Sequence, residues 1–462
     1  MKYIFLLISL FTFNFLQAQV TGVVKDAAGE PIPGANVFWM NTTNGVTTNE
    51  DGNFSIHKPA RSHMLVVSFI GFENDTIHVD KGNQQLDIVL REGVELSEVN
   101  VVTRKLGTMK LRTSVMNEDM ISSAELTRAA CCNLGESFVT NPSVDVSYSD
   151  AATGAKQIKL LGLSGTYVQM MTENIPNFRG AAAPYGLGYV PGPWMQSIQV
   201  SKGSSSVKNG YESITGQINV EFKKPQLPEA DWVSANLFAS STNRYEANAD
   251  ATVKLSKRWS TSLLAHYENE TKSHDSNDDG FVDIPRVEQY NVWNRWAYMG
   301  DHYVFQAGIK ALHETRNSGQ IAHGNTPSHD LYEIGIKTNR YEAFTKNAYI
   351  FDKEKNTNLA LILQGTLHNQ DANYGRKLYD VDQSNFYASL LFETELSKQH
   401  SLSAGLSFNY DGYDQNYRLT NQAEEGLTKK FVKESVPGAY VQYTFNLNDQ
   451  LMLMGGIRGD YS

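Results

Sequence analysis

From Trp232 to the end of the chain, apolar and polar residues alternate with a period of two over one long segment after another. Tyr245, Ala247, Ala249, Ala251, Val253 and Leu255 alternate with Glu246, Asn248, Asp250, Thr252 and Lys254. Leu402, Ala404, Leu406, Phe408 and Tyr410 alternate with Ser403, Gly405, Ser407, Asn409 and Asp411, and Val441, Tyr443, Phe445 and Leu447 with Gln442, Thr444 and Asn446. Successive side chains of a strand point to opposite faces, so each of these strands has one apolar and one fully polar face. Strands of this kind fit a membrane β-barrel, with lipid on the apolar side and water or an inserted domain on the polar side. A soluble sandwich would bury the apolar face equally well but rarely sustains strands this long.

With 462 residues, two or three domains are expected. Met1 to Ala18 reads as a signal peptide: Lys2 gives the charged start, Ile4 to Leu16 the apolar run, and Gln17-Ala18-Gln19 the cleavage region. No later stretch approaches the ~20 apolar residues of a spanning helix. Net charge is −10 with both signs interspersed, so no basic stripe points to nucleic acid. The two cysteines are adjacent, which excludes a disulfide framework despite export. Tyr, Phe and Gly number 23, 21 and 35, a profile that suits strands and interfacial aromatic girdles.

Ahead of the alternating region, Val20 to Leu90 carries short strands at ~8–12-residue spacing, punctuated by Asp26 to Gly29, Pro31 to Gly34 and Asn49 to Gly52, the pattern of a β-sandwich. A turn explains Asp51-Gly52 better than a metal loop, since only one carboxylate pair is present. The order GxVxDxxGxPxPGAxV followed by TxxDGxF resembles the carboxypeptidase regulatory-like domain, a seven-stranded sandwich. The stretch Ile198 to Lys224, IQVSKGSSSVKNGYESITGQINVEFKK, reads as strand, Lys-Gly turn, Ser-rich loop, Asn-Gly turn and strand. It resembles the plug-to-barrel junction of TonB-dependent outer-membrane transporters, with Gly203, Ser206, Gly210, Gly216, Ile218 and Val220 in the family's places. Lys202-Gly203-Ser204 stands where Arg-Gly-Pro is usual, and Gln217 replaces a second glycine. Upstream, Leu161-Gly162 stands for Arg-Gly, and Asn174, tolerant of left-handed geometry, takes the turn position of a usual glycine. Ile121 to Leu126 opens a helix with Ser and Glu in capping positions.

The resemblance, to the Bacteroidetes type of this family, implies a mainly β chain. Residues 1–18 would be the signal peptide, 19–91 the regulatory-like sandwich, 92–109 a linker, 110–225 an α+β plug, and 226–462 antiparallel transmembrane β-barrel strands. Short turns (Ser256 to Arg258, Asp301-His302, Lys398 to His400, Asn448 to Gln450) belong on the periplasmic side. Longer loops (Thr271 to Gln289, Arg316 to Asp330, Asn369 to Ser384, Gln415 to Glu434) belong outside. About eleven strands are half of the 22 that plugged barrels use. Half a barrel leaves open edges in lipid, so the chain is expected to be part of a longer protein and not to insert alone. The family's TonB box adds a strand to a periplasmic energy-transducing partner. Glu98, Val99, Asn100, Val101, Val102 and Thr103 suit that role, and Val99 to Val102 serve equally well as the first plug strand. The implied function is active transport of a scarce ligand across the cell outer membrane. That ligand would be a siderophore-type ferric chelate, cobalamin or another metal complex, with glycan importers of the SusC kind and oligopeptide carriers less favoured. An adhesin or signalling receptor without transport is the alternative. Implied partners are the periplasmic TonB complex, outer-membrane lipid and the small-molecule or metal-chelate substrate, with no nucleic acid.

Two groups of side chains read as metal sites. Asp275, Asn277, Asp279 and Asp283, around Gly280, place hard oxygen donors at alternate positions of a short loop, which suits a structural Ca2+ although the twelfth-position Glu of an EF-hand is missing. Dispersed solvation of the acids is the other reading. Cys131 and Cys132, expected on a plug helix, and Met170 and Met171 offer soft sulfur ligands, but a buried structural role is the favoured reading, since both residue types are ordinary in cores. No cofactor is required by either reading. No HExxH, GxxxxGK[ST] or GxSxG occurs and the eleven histidines are scattered, so an enzyme is not expected.

Overall fold

The computed structural model describes residues 19–462 except 27–28, 41, 43, 60–62, 70–71, 73–74, 80–84, 91–107, 111–116, 129–131, 140, 204–205, 226–231, 322–330, 420–427 and 449–450. The expected signal peptide and the whole TonB-box candidate, Glu98 to Thr103, lie outside the described residues, as does Cys131. The chain divides into two compact units, Met1–Arg104 and Lys105–Ser462.

Among the described residues the first unit holds seven strands, β1 (Gln19–Lys25), β2 (Asn36–Trp39), β3 (Gly45–Thr47), β4 (Asn53–His57), β5 (Met64–Ser68), β6 (Asp75–His78) and β7 (Gln85–Val89). They form two sheets, β4-β1-β7 and β3-β2-β5-β6. Alternate residues of β1 and β4 (Val20, Val24, Phe54, Ile56) turn inward to meet Val37, Trp39, Leu65 and Val67 from the other sheet, as the alternation requires. At Asn49 to Gly52 the Asn49 carboxamide oxygen accepts from the amides of Asp51 (3.1 Å) and Asn53 (2.8 Å), so the segment is a self-bonded turn.

In the second unit, residues 108–222 form a small α+β domain around the mixed sheet β14-β13-β16-β15-β9-β8. Its strands are β8 (Thr108–Lys110), β9 (Asn117–Ser122), β13 (Val168–Thr172), β14 (Ile175–Pro176), β15 (Met195–Lys202) and β16 (Gly216–Phe222), and β10 (Val144–Asp150), β11 (Ala155–Leu160) and β12 (Leu163–Ser164) make a separate sheet. Every residue of β16 is buried, because it runs parallel to β13 on one side and antiparallel to β15 on the other, with both faces covered. Among the described residues of this domain the α-helix is α1 (Ser123–Arg128), and Cys132 lies in a bend. The expectation that Cys132 lies on a helix is therefore corrected.

The rest is one antiparallel sheet of eleven strands in sequential order: β17 (Trp232–Ala239), β18 (Arg244–Lys254), β19 (Trp259–Glu270), β20 (Arg286–Met299), β21 (Tyr303–Gly319), β22 (Glu333–Asp352), β23 (Thr357–Tyr374), β24 (Lys377–Ser397), β25 (His400–Leu419), β26 (Thr428–Asn448) and β27 (Leu451–Asp460). Among the described residues β17 pairs only with β18 and β27 only with β26. The sheet is inverted relative to a soluble one. Glu246, Asn248, Asp250 and Thr252 of β18 are buried against the inner domain, while Tyr245 and Val253 point out and are exposed. The same inversion exposes Leu263, Trp296, Ile309, Tyr341, Leu406 and Ile457 and buries Arg295, Lys310, His368 and Gln383. This is the arrangement of a sheet whose outer solvent is lipid.

Two loop expectations are corrected, the first in part: within Gln415 to Glu434, residues 415–419 belong to β25 and 428–434 to β26, with Gln415 opposite Lys430. Asn369 to Ser384 is no loop: β23 and β24 run on as a paired ladder, Asn369 opposite Asp382 and Tyr374 opposite Lys377, joined by the turn Gly375-Arg376. Gly375 has φ +58, the left-handed geometry that a two-residue hairpin needs. The ladder here bears polar residues on its outer face (Asn369, Asp371, Asp382), so the amphipathic signal fades although the backbone pairing continues.

Candidate functional site

The contact between the inner domain and the sheet is the feature on which function turns, and it is built largely from charged and amide side chains. The β13–β14 turn, Glu173-Asn174, has φ +51 and +62, both left-handed. Asn174 does stand where a glycine was the expected alternative, and the Asn219 carboxamide accepts its amide at 2.8 Å. This turn presents Glu173 to the wall, where Arg295 donates to its carboxylate at 2.6 Å and Lys346 to its carbonyl at 2.8 Å. Asn177 is held next to it, accepting from Arg340 at 2.6 Å and donating to Glu342 at 2.9 Å.

Residues 179–189 continue as a strap of small residues along the wall. Arg179 pairs with Asp411 at 3.0 Å and with Glu212 of its own domain. The Ala181 amide donates to Gln383 at 3.1 Å. Gln289 donates to the Gly188 carbonyl at 3.2 Å, and Asn291 and Lys310 to the Tyr189 carbonyl at 3.0 and 3.3 Å. Gly180 allows this approach: it has φ +59, and a Cβ there would sit 2.3 Å from the Tyr413 hydroxyl. At the outer end, Arg244 of β18 donates to Glu136 at 2.9 Å and pairs with Glu246 at 2.7 Å and Glu268 at 3.0 Å. Burial alone would raise the Glu136 carboxyl, but the Arg244 guanidinium and the Lys156 ammonium hold it below its ordinary value. An apolar patch completes the contact, with Trp293 of β20 edge-on to Phe222 at 4.6 Å and beside Trp194 at 6.3 Å.

The junction residues come together as the sequence pattern required. Gly203, Gly210 and Gly216 have φ +84, +108 and +142, and a Cβ on Gly216 would lie 2.1 Å from the Ser201 carbonyl oxygen. Ser206 caps the single turn Val207–Asn209 and donates to Gln442 of β26 at 2.7 Å, while Lys208 pairs with Glu393 of β24. Ile218 and Val220 are fully buried in β16. The motif thus pins the last plug strand to the far wall.

Residues 110–217 match the TonB-dependent Receptor Plug Domain, and residues 20–102 the CarboxypepD_reg-like domain. The chain carries the plug domain of the TonB-dependent receptors. Such receptors are outer-membrane proteins, and the inverted sheet is the receptor's barrel wall. TonB-dependent receptor SusC of Bacteroides thetaiotaomicron is 28% identical over 245 residues, 50% of this chain and 24% of that protein. TonB-dependent receptor P39 of Formosa agariphila is 39% identical over 100 residues, 21% of this chain and 10% of its own. The receptor therefore spans a quarter or less of these curated relatives. Among solved structures, the FpvAI–pyocin S2 complex superposes with a TM-score of 0.63 at 14% identity over 80% of this chain and 58% of that one. The alcaligin receptor FauA of Bordetella pertussis gives 0.62 at 14%, over 79% and 60%. At that identity these two establish the plug-and-barrel fold.

The two metal readings fare differently from the junction. Asp275, Asn277, Asp279 and Asp283 are brought together in the receptor's loop between β19 and β20, but their oxygens face the loop's own amides. Asp275 accepts from Asp279 N (3.1 Å) and Gly280 N (2.9 Å), Asp279 from Phe281 N (2.8 Å), and Asp283 from Ser276 N (2.7 Å). Among the described residues, no three His, Cys, Asp or Glu side chains gather as a metal would need. Cys132 is buried beside Glu246, Arg244 and Glu136, and burial pushes its thiol up, away from the thiolate that a soft metal takes. Met171 is buried in β13 and its neighbour Met170 packs on the plug core from the other side of the strand. The Cys132 sulfur therefore lies on a different element from the two methionine sulfurs, which point to opposite faces of β13. Sequence reasoning missed Glu173, Asn177 and Arg179 altogether. Their only signal was a Gly/Ala-rich stretch flanked by polar residues.

Proposed function

We propose that this receptor imports a scarce ligand through its barrel, with the plug drawn from the periplasmic side by the TonB complex acting on the Glu98 to Thr103 segment. The observation that carries this reading is the polar plug–wall contact inside an inverted sheet. Groups such as Asn177, Arg179 and Ser206, once parted from Arg340, Asp411 and Gln442, are re-solvated by lumen water. A wholly apolar contact would lose ~25 cal/mol for each Å² exposed. A plug held this way is firmly seated yet displaceable, which a receptor used only for adhesion does not need.

The ligand class we favour is a ferric chelate, cobalamin or another metal complex. A glycan or oligopeptide is the second reading, supported by the likeness to SusC. No chemical step is assigned to the chain. The test is uptake by cells carrying the full-length receptor, with and without TonB, of labelled ferric siderophores, cobalamin and a maltooligosaccharide. TonB-dependent accumulation of one of them supports import and names its class. Surface attachment without accumulation of any, unchanged by loss of TonB, supports the adhesin or signalling alternative.

A further inference from the structure

In the regulatory-like domain, the sheet β3-β2-β5-β6 has one face turned to the core and one turned away. Trp39, Leu65 and Ile77 take the inner face. Met40, Met64 and His78, each next to one of these in sequence, therefore lie on the outer face. The Met40 amide donates to the Met64 carbonyl at 2.9 Å, which carries the Trp39–Leu65 pairing one residue further, and Met64 stands directly opposite His78. The three form a row across β2, β5 and β6, in which directly opposite Cβ atoms lie about 4.5–5.5 Å apart. His63 joins the row from the start of β5. The Val79 amide donates to its carbonyl at 2.7 Å, and its ring stacks on that of His78 with centroids 6.0 Å apart. Both methionines are partly buried and both histidines are exposed.

None of the four belongs to the domain's apolar core, which closes without them among the described residues. Together they make a soft donor set of two thioethers and two imidazoles at one end of a sheet. Thioether sulfur selects Cu(I) over zinc and over hard cations, and neutral imidazole suits copper equally. A metal–nitrogen bond is about 2.0–2.1 Å long, so two rings 6.0 Å apart with nitrogens turned towards each other leave room for one ion between them. We propose that Met40, Met64, His78 and His63 bind one Cu(I) ion on the outer face of the regulatory-like domain. Met64 and His78, opposite each other in the ladder, are its fixed ligands. His63 is the exchangeable one. Its Nδ1 lies 3.1 Å from the Lys58 ammonium, and a neutral ring that coordinates through one nitrogen carries its proton on the other. Coordination by His63 therefore requires Lys58 to swing away. The site is distinct from the cysteine and methionines of the plug, and it does not depend on which ligand the barrel carries.

The test is anaerobic titration of the purified full-length receptor with Cu(I) against the chromogenic chelator bicinchoninate. Met64→Leu, which nearly conserves side-chain volume, and His78→Gln should each weaken the binding of one Cu(I) equivalent by roughly tenfold or more. Lys58→Met should tighten it by releasing His63. X-ray absorption at the copper edge should show sulfur and nitrogen neighbours together, with less sulfur in the Met40→Leu, Met64→Leu double variant. Cu(I) affinity and stoichiometry unchanged in both Met64→Leu and His78→Gln would overturn the proposal, as would a copper shell without sulfur. Zn2+ bound as tightly as Cu(I), with no response to Met64→Leu, would show that the thioethers are not ligands and would overturn it equally.

Discussion

Arg295 on the barrel wall donates a 2.6 Å hydrogen bond to Glu173 at the tip of the plug's β13–β14 turn, with 1% of one side chain and 3% of the other exposed. The same guanidinium lies 4.5 Å from the Trp293 ring and donates to the Lys223 carbonyl at 2.7 Å. One side chain therefore ties together the β13–β14 turn, the end of the last plug strand and the wall.

Removing one partner of a buried pair leaves the other charge uncompensated, a loss of roughly 3–5 kcal/mol, whereas removing both is far milder. Arg295→Met should therefore loosen the plug, and Glu173→Gln combined with Arg295→Met should recover much of the loss. Protease release of plug fragments from the assembled receptor measures both. Equal release from the single and double variants would show that the pair does not hold the plug.

Glu136 predicts a pH dependence. Its folded-state pKa is depressed below the ordinary value of 4.5, so the stabilisation it provides is complete above that value and is lost as pH falls through the folded one. The grip of Arg244 on the plug should weaken on acidification below the ordinary carboxylate value. Glu136→Gln should weaken the plug at neutral pH and remove that part of the acid dependence. Protease accessibility of the plug, followed against pH in both proteins, checks the sign.

The β19–β20 loop provides a third test. Asp275 accepts two loop amides, so Asp275→Ala should leave residues 271–285 more open to proteolysis while the barrel stays folded. If the loop also holds calcium, a chelator should produce the same opening in the unmodified receptor. Cleavage rates that a chelator does not alter would leave the amide bonds as the whole of the loop's order.

Energised uptake should be lost in Val101→Pro, with ligand binding retained, because proline removes a main-chain donor from an added strand. Binding and uptake measured on the same cells separate the two effects. Normal uptake would move the box to another part of the linker.

The two-residue alternation determined the barrel strands, their number and which face meets lipid, because side-chain direction in a strand follows from the backbone alone. Glycine's access to positive φ determined the junction, and Gly203, Gly210 and Gly216 adopt the geometry their spacing implied. Local chemistry of this kind is legible because its causes lie within a few residues. It was least legible where the outward face turns polar, so that Asn369 to Ser384 read as a loop although its ladder is continuous.

Only the tertiary structure decided which residues make the plug–wall contact. Glu173 and Arg295 are separated by 122 positions, and Arg179 and Asp411 lie on elements that meet only after the sheet has curved around the plug. Nothing near Glu173 in sequence marks it as an anchor, and its partner was hidden in an alternating strand where any inward polar residue satisfies the pattern. Pairing across such distances depends on strand register and on how the inner domain is rotated within the wall. Those are properties of the packed whole, which a periodicity of two leaves undetermined.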